Sequence, residues 1–491
     1  MDECRFEEEK ERASNAEVFC MRLLSTFILA CALLVPQGVL AAKIEQPGYP
    51  APPPAGQIRT IQDTIYGVLR THRTLRSLLE NQQVLTHEVS RARAGFGPRV
   101  DLRGSAGGSQ YSDASTRANG LDRYMWGYAS ASAKLVQPIW DGFATRSRVR
   151  SAKSTLESVQ SRVFDTATSL SLDGIIAHID LIRRREIMRL SEKNVQEHKN
   201  VLGMVQERET LGAKSTEADV KQAQARLQRA LSSESEAKAA LLIAEETYHR
   251  LTGLTPGNMQ SVSWPPDMFT ESATVFELAE KHNPKLAAYM KDIRAARADR
   301  ELAESAFYPV FNAEVGPSYS DRGGARDRWI YSFDVLGTVR WNVFNSGADV
   351  AEWKAASARM RQARQIMYNY IDDLKLDIDT TWANYKAAEE QYKHYYSAVQ
   401  YNKETLRLYE EQRDATGQRR LLDVLDSINE LYNSSTQTIT CWGNILVGAY
   451  RLTALTGNML PSMSIYTGPL KDAPPVDPDD PREQFDLGWF N

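Results

Sequence analysis

Two aspartates in the last fifth of the sequence have the spacing most suggestive of chemistry. They lie in the segment GQRRLLDVLDSINELYN, residues 417 to 433, as Asp423 and Asp426. Residues three apart on an α-helix project from nearly the same face. Paired carboxylates of this kind serve as a catalytic acid and base, a metal site, a solvated helix face or part of a charged ring in a pore. The surrounding chain must decide among these four possibilities.

Other motifs that would support catalysis or cofactor binding are absent from the sequence. The seven histidines are scattered without metal-ligand spacing, and neither HExxH nor CxxC occurs. The segment GAKST, residues 212 to 216, resembles the end of a phosphate-binding loop, but Ala213 stands where a glycine is required before Lys214. No third group is available to orient Asp423 and Asp426. We therefore predict that the protein is not an enzyme and uses no cofactor or metal.

Residues 1–41 have the layout of an upstream extension and a secretory signal peptide. Residues 1 to 20 are acidic and precede a second methionine, Met21; an apolar run follows, and cleavage is predicted after Ala41. This segment holds 4 of the 59 Lys and Arg and 7 of the 63 Asp and Glu, which leaves 55 against 56, a net charge of −1. Such an exported, near-neutral chain lacks the excess of positive charge that is typical of proteins that bind nucleic acid. Only Cys441 remains, so no intrachain disulfide is possible.

Proline placement defines two long helical tracts. No proline occurs between Pro138 and Pro256 or between Pro317 and Pro461, and both tracts are rich in good helix formers. In the first tract, apolar residues recur every seven positions, as in a coiled-coil seam: Val149, Leu156, Val163 and Leu170. One helix over residues 145 to 210 would be about 100 Å long. No run of 18 apolar residues follows the signal peptide, so the sequence predicts no transmembrane helix.

The chain repeats its own pattern. A shift of 211 residues aligns Leu75 with Leu286, and a shift of 204 aligns the LTG of residues 251 to 253 with that of 455 to 457. Each repeat holds a helix, two strands and a long helical tract that one glycine interrupts, Gly212 or Gly417. The predicted divisions are a proline-rich linker at 42–57, a first repeat at 58–260, a second repeat at 272–460 and an acidic proline-rich tail at 471–491. The predicted strands span about 99–111, 124–139, 310–320 and 329–344, and the long helices 145–253 and 347–457.

The predicted strands alternate between apolar and polar residues. In WIYSFDVLGTVRWNVF, residues 329 to 344, Val335 and Val339 fall on the apolar side, and the other side holds Ser332, Asp334, Thr338 and Arg340. Alternation alone fits a half-buried sheet of a soluble protein as well as a membrane barrel. Aromatic residues at the strand ends and the export signal favour a barrel, with the valines toward lipid and the polar side toward a lumen. Four strands cannot close a barrel, so several protomers must share one.

The segment GQRRLLDVLDSINELYN resembles the signature that follows the second periplasmic turn of TolC-type outer-membrane channels. QPIWDGFATRSRVRSA, residues 137 to 152, and WNVFNSGADVAEWKAA, residues 341 to 356, resemble the strand-to-helix junction of that family, where an FDGG-like turn is common. The resemblance covers nearly the whole mature chain. RREIMRLSEKNVQEH, residues 184 to 198, and GQRRLLDVLDSINELY look most like the branch that serves type I protein secretion.

The resemblance implies a mainly α fold with a membrane β-barrel. Three protomers with four strands each would form one 12-stranded barrel in the outer membrane, and long coiled-coil helices would continue as an α-barrel across the periplasm. Asp423 and Asp426 would form a six-carboxylate selectivity ring at the periplasmic gate, and Arg419 would be a gate latch. The turns at Gly212 and Gly417 would contact an adaptor protein.

Two positions depart from the family pattern. Asp414 stands where related channels carry a gate tyrosine, and Asp219 follows Gly212 by seven residues, whereas Asp423 follows Gly417 by six. The resemblance therefore leaves open whether Asp219 and Asp414 take part in the gate.

The predicted function is a homotrimeric exit duct, with no chemistry of its own, in the outer membrane of a Gram-negative-type bacterium. Cargo would arrive from an inner-membrane ABC transporter through a periplasmic adaptor, and a secreted protein is the preferred cargo. The alternative is drug or solute efflux, and a structural periplasmic coiled-coil protein is a remote alternative. We expect that replacing both Asp423 and Asp426 by alanine leaves the trimer stable, because the sequence assigns them no folding contact.

Overall fold

The computed structural model describes residues 58–110, 112, 114–118, 120, 122–211, 216–262, 269–322, 329–416 and 421–465. The predicted leader at 1–41, linker at 42–57 and tail at 471–491 lie outside these residues. Within them the protein is mainly helical with one small sheet, which confirms the coarse part of the predicted fold class.

Long helices dominate both halves of the chain. The first half contains α1 Ile61–Thr71, α2 Arg73–Arg93, the short α3 Ala114–Ala118, α4 Ala144–Thr210 and α5 Glu217–Thr252. The second half contains α6 Ser272–His282, α7 Pro284–Glu304, α8 Ala348–Thr416, α9 Leu421–Leu455 and the short α10 Met459–Ser462. Because α4 has 67 residues and α8 has 69, each extends for about 100 Å at 1.5 Å per residue.

Local capping sequences set where α1 and α7 begin. Thr60 and Asp63 form a capping box, in which each side chain accepts a hydrogen bond from the backbone N–H of the other residue, at 2.9 and 3.1 Å. Asn283 accepts from the backbone of Lys285 and Leu286, both at 3.0 Å, and Pro284 occupies the first helical position. These residues satisfy N–H groups that the helix itself leaves without partners.

Four antiparallel strands form one sheet in the order β1-β2-β3-β4. The strands are β1 Arg99–Gln110, β2 Met125–Trp140, β3 Val310–Arg322 and β4 Trp329–Arg340. The last strand was predicted to span about 329–344, and β4 ends at Arg340, which pairs with Val310, the first residue of β3. The helix α3, in the turn between β1 and β2, was not predicted from the sequence.

The register of the sheet gives it one apolar and one polar face. A row of apolar residues crosses all four strands: Val100, Leu135, Val315 and Val335. A row of polar residues also crosses all four strands, and its member in β4 lies three residues before Val335. The row consists of Arg103, Ser132, Ser318 and Ser332. Because successive residues of a strand point to opposite faces, the two rows lie on opposite sides of the sheet. Lys134 and Glu314 form an ion pair of 2.5 Å on the polar side.

The helices continue the order of the strands to which they are joined. Helix α2 packs on α4, α4 on α7, and α7 on α8. The four long helices, α4, α5, α8 and α9, also pack side by side in a layer. In it, α5 packs on α4, α4 on α9, and α9 on α8. Helix α4 therefore has neighbours on both sides, whereas α5 and α8 form the two outer edges of this layer.

The two strand-to-helix junctions share a backbone conformation but differ in packing. Each holds two consecutive residues in the left-handed region: Gly142 (φ 63°) and Phe143 (φ 66°) before α4, and Ser346 (φ 48°) and Gly347 (φ 82°) before α8. Residues other than glycine are strained in this conformation, because their Cβ atom clashes with the backbone. A Cβ added to Gly142 would lie 2.7 Å from the Cβ of Tyr308, whereas the space beside Gly347 is open in the protomer. Glycine at 142 is thus required for packing as well as for backbone conformation.

Candidate functional site

The predicted gate aspartates lie near the start of α9. Asp423 is half-buried, and the side chain of Asp426 is 62% exposed. Several other predicted gate and adaptor-contact groups lie outside the described residues: Gly212, Gly417, Arg419 and the side chain of Asp414. The described part of the site therefore consists of the helix ends that flank the two turns.

An apolar cluster holds these helix ends together. Its buried members come from α4, α5 and α9, and partly buried side chains of α8 pack against them. Val424 and Leu425 are fully buried in it, between Asp423 and Asp426 in sequence. The buried members are Val201, Val205, Val220, Ala223, Val424, Leu425 and Ile428. Because the two aspartates flank buried residues on the first turns of α9, the cluster fixes their backbone positions.

Asp426 forms an ion pair with Arg226 of α5, 200 residues away in sequence. Both terminal nitrogens of Arg226 donate to the carboxylate: Nη1 to Oδ1, and Nη2 to Oδ2 at 3.2 Å. The Arg226 side chain is only 21% exposed. Two parallel N–H···O bonds between a guanidinium and a carboxylate form a strong and directional contact.

This ion pair corrects one expectation from the sequence. Asp426 does make a contact between helices, so its replacement by alanine removes an interaction of the fold and leaves Arg226 without its carboxylate. Sequence reasoning missed Arg226 entirely. The only available signal was its place seven residues after Asp219, which puts it two helical turns further along the same face of α5.

Asp219 acts first as a cap of its own helix. Its Oδ2 accepts hydrogen bonds from the backbone N–H and the hydroxyl of Thr216, both at 2.8 Å, and its N–H donates to the Thr216 Oγ1 at 3.3 Å. This is a capping box at the start of α5. The sequence T-x-x-D at 216 to 219 was the signal for it. The carboxylate of Asp219 therefore has a local structural role beside the turn.

A buried histidine lies close to the Arg226 guanidinium. The Nδ1 atom of His198 is 2.9 Å from the carbonyl oxygen of Asn194, one turn earlier in α4. Burial lowers the pKa of His198, the Asn194 contact opposes that shift, and the positive charge of Arg226 lowers the pKa further. His198 is therefore neutral at pH 7 and contributes no charge to this end of the helices.

The predicted strand residues fall on the two faces of the sheet. Ser332 Oγ lies 2.8 Å from Ser318 Oγ, and Thr338 donates to Glu314 at 3.2 Å, both on the polar face that also carries Asp334 and Arg340. Val335 and Val339 lie on the other face and are 68% and 60% exposed. The sheet thus presents valines to one side and hydrogen-bonded polar groups to the other.

The described residues lack two other kinds of site. None of the helices there combines the length and the apolar character that a membrane-spanning segment needs. In the same ranges, no group of three His, Cys, Asp or Glu side chains is placed to hold a metal ion.

The chain belongs to the outer membrane efflux protein family. The model of that family matches residues 64–254 and 275–458, most of the chain. Among curated proteins, the outer membrane efflux protein BepC of Brucella suis biovar 1 (strain 1330) is 23% identical over 333 residues, which cover 66% of this chain and 71% of BepC. The protein is thus a TolC-family channel of the outer membrane, as the sequence resemblance indicated.

Solved channel structures share the fold. CmeC, the outer membrane channel of Campylobacter jejuni, superposes with a TM-score of 0.70 at 14% identity, over 81% of this chain and 86% of CmeC. The outer membrane protein VceC of Vibrio cholerae gives 0.67 at 16% identity, over 83% and 96%. CusC gives 0.69 at 15% identity, over 85% and 99%. The predicted likeness to the type I secretion branch finds no support in these comparisons, which favour the efflux alternative.

Proposed function

We propose that three copies of this chain form the outer-membrane duct of a tripartite efflux pump. Each protomer contributes four strands to a 12-stranded barrel, and the long helices form a periplasmic conduit. A periplasmic adaptor binds near the turns at Gly212 and Gly417 and connects the duct to an inner-membrane transporter. Drugs or other solutes are the cargo, in keeping with the description of BepC as an efflux protein.

The observation that carries this proposal is the four-stranded sheet with two different faces. Among the described residues, β1 pairs only with β2, and β4 pairs only with β3, so the protomer has two sheet edges of 12 residues each. Unpaired edge groups cannot lie in hydrocarbon, where each would lose its hydrogen bonds to water. Pairing of β4 with β1 of the next copy satisfies both edges, and three copies close a ring.

The outer helices of the protomer supply a second argument for self-association. Helix α8 exposes large apolar side chains, including Leu376, Tyr395 and Tyr401, and α5 exposes Leu242 and Ile243. These two helices lie at opposite edges of the layer of long helices. A second copy that continues the layer would place α5 of one protomer against α8 of its neighbour and remove this apolar surface from water.

At the periplasmic end, we assign Asp423 and Asp426 to a ring around the channel axis and Arg419 to the latch between helices. Carboxylates converging on a narrow entrance attract cations, and low-dielectric walls strengthen the field. Replacing Asp423 by alanine should therefore weaken the cation selectivity of the closed channel, as measured by reversal potentials in planar bilayers. Arg419→Ala should raise the conductance, because it loosens the helices.

A pair of arginine substitutions tests the barrel. Arginine at the bilayer midplane costs about 2 to 4 kcal/mol on a lipid-facing position and far less in a polar lumen. Val335→Arg should therefore reduce the yield of heat-modifiable trimer in outer-membrane fractions much more than Thr338→Arg. Equal yields from the two variants would contradict the assignment of the valine face to lipid.

Deletion of the gene separates efflux from protein secretion. Loss of an efflux duct should lower the concentration of dyes, detergents or antibiotics that stops growth, and plasmid-borne wild-type protein should restore it. Loss of a secretion duct should instead remove a protein from the culture medium without a change in susceptibility. The second outcome would favour the secretion prediction, which rests on the segments at 184 to 198 and 417 to 432.

A further inference from the structure

The ion pair between Arg226 and Asp426 changes the charge of the proposed entrance. A ring of six aspartates would carry six negative charges only if no cation were attached to it. In this chain each Asp426 carboxylate has both oxygens bound by the guanidinium of Arg226 in the same protomer. A guanidinium stays charged at every pH that a protein experiences. Its positive charge therefore offsets the negative charge of the carboxylate that it binds.

The surroundings of Arg226 hold its guanidinium in place. The arginine side chain is largely buried beside the apolar cluster of α4, α5 and α9, while the aspartate side chain is largely exposed. The buried partner is thus the cation, and the exposed partner is the anion that would face the channel. His198 is a basic group close to Arg226, and its lowered pKa favours the neutral form, so it adds little positive charge beside the pair.

The pair also joins the two halves of the chain. Helices α5 and α9 have few contacts with each other, since α4 separates them over most of their length. Besides the apolar cluster and this ion pair, the described side chains of the two helices share a weaker hydrogen bond, 3.4 Å between the Ser233 hydroxyl and the Tyr432 hydroxyl. Arg226 therefore fixes the carboxylate of Asp426 from a helix that does not itself carry the aspartates.

We propose that Arg226 is a selectivity-determining residue of the channel, which neutralises Asp426 and so sets the negative charge of the closed entrance. This inference rests on the proposed function, because it places Asp426 at the entrance of a conducting trimer. It predicts a weaker cation trap than six free aspartates would form. Removing Arg226 should strengthen the trap, whereas removing Asp426 should expose three arginine charges and weaken it.

Single-channel recording in planar bilayers tests the proposal, with Mg²⁺ added from the periplasmic side as the blocking ion. Arg226→Gln adds three uncompensated carboxylates per trimer, which should lower the blocking concentration of Mg²⁺ on the order of tenfold and raise the K⁺ over Cl⁻ selectivity. The matched control is Arg229→Gln, which removes an exposed positive charge three residues away on the same helix. It should change block by no more than about twofold, since screening by salt weakens distant exposed charges.

Two further variants make the pairing itself testable. Asp426→Asn should raise the blocking concentration, and Arg226→Gln combined with Asp426→Asn should return it to the wild-type value. If Arg226→Gln assembles poorly, Asp426→Asn decides the matter, because it retains the arginine and the size of the side chain. Equal block of Asp426→Asn and wild type would overturn the proposal.

The outcomes for wild type separate this inference from the proposed function. Wild-type protein that forms no conducting channel would overturn both. A conducting wild type that Mg²⁺ blocks, together with identical block of Arg226→Gln and Arg229→Gln, would overturn only the role of Arg226.

Discussion

Two buried clusters at corresponding places in the two halves are built from opposite kinds of side chain. In the first half, α1, α4 and α5 bring together a polar triad, Thr64, His178 and Tyr248. The sequence offsets of 211 and 204 residues place three other residues at the equivalent positions: Val275, Trp382 and Leu452. Val275 and Leu452 are buried in an apolar cluster of the second half, and Trp382 packs against it.

The polar triad forms a directed chain of hydrogen bonds. The Nε2 atom of His178 lies 3.1 Å from the carbonyl oxygen of Gln260, which can only accept, so Nε2 carries the proton. Nδ1 then accepts from the Thr64 hydroxyl at 2.8 Å, while the Thr60 carbonyl, 3.1 Å from the same hydroxyl, is a second acceptor for its proton. The Tyr248 hydroxyl lies 3.0 Å from that same Thr64 oxygen. The chain ends on the segment that follows α5 and thereby holds it against α1 and α4. The apolar counterpart in the second half needs no such partners.

The difference shows that this fold accepts either a polar or an apolar cluster at this place between the helices. A polar cluster must have its buried groups hydrogen-bonded, and an apolar cluster must be well packed. A buried polar group without a partner costs about 1 to 3 kcal/mol, whereas a fully paired group costs little. The polar cluster adds direction, because each of its hydrogen bonds requires a donor and an acceptor at fixed positions. The apolar cluster depends on shape alone. Substitutions within the two clusters should therefore have unequal effects.

The largest effect is expected from His178→Ala. It should lower the free energy of unfolding by about 3 to 5 kcal/mol, since it leaves a cavity and also removes one hydrogen-bond partner from Thr64 and one from the Gln260 carbonyl. Chemical denaturation of the detergent-solubilised protein, followed by circular dichroism, measures this. The matched control is His198→Ala, a buried histidine whose hydrogen bond stays within its own helix. Equal losses in the two variants would show that the triad has no special role.

Thr64→Val should have a smaller effect because it keeps the shape of the side chain. It removes the hydroxyl that joins His178 to Tyr248, so both lose a partner, and we expect a loss of about 1 to 3 kcal/mol. The same denaturation measurement applies. A change within experimental error would mean that another group replaces the hydroxyl.

The reverse substitution in the second half, Val275→Thr, should cost about 1 kcal/mol. A threonine at this position near the start of α6 loses apolar contact. Its hydroxyl can, however, donate to a backbone carbonyl three or four residues earlier in the chain. If Val275→Thr is as costly as Thr64→Val, the apolar cluster is no more tolerant than the polar triad. That result would remove the contrast between the two halves.

Acidification should weaken the first half through His178. Burial lowers the pKa of this histidine below its ordinary value of 6.5, and the Gln260 contact only partly opposes the shift. The unfolded chain therefore binds a proton at a higher pH than the folded chain does, so the stabilisation is fully present above pH 6.5 and is lost as the pH falls below it. One such proton contributes at most about 1.4 kcal/mol per pH unit. Unfolding free energies of wild type and His178→Gln between pH 7.5 and 5.5 should converge, and parallel curves would contradict this origin.

Local patterns in the sequence were enough for the kinds of element and for the class of protein. The absence of proline between Pro138 and Pro256 predicts long helices, and α4 and α5 occupy that tract. The alternation around Val335 and Thr338 predicts a strand, and β4 spans both residues. The GQRRLLDVLDSINELYN segment and the two junctions were sufficient for the family. These signals are properties of the linear sequence, so they can be recognised without knowledge of the fold.

The tertiary structure alone decided which side chains meet across long separations. Arg226 and Asp426 are 200 residues apart, and Thr64 and Tyr248 are 184 apart, so no local spacing could have paired them. The end of β4 at Arg340 was likewise decided by where β3 begins, since a strand needs a partner. Periodicity specifies the face that a residue occupies on its own helix or strand. The partner on the facing element depends on how the helices pack, and packing is a property of the whole chain.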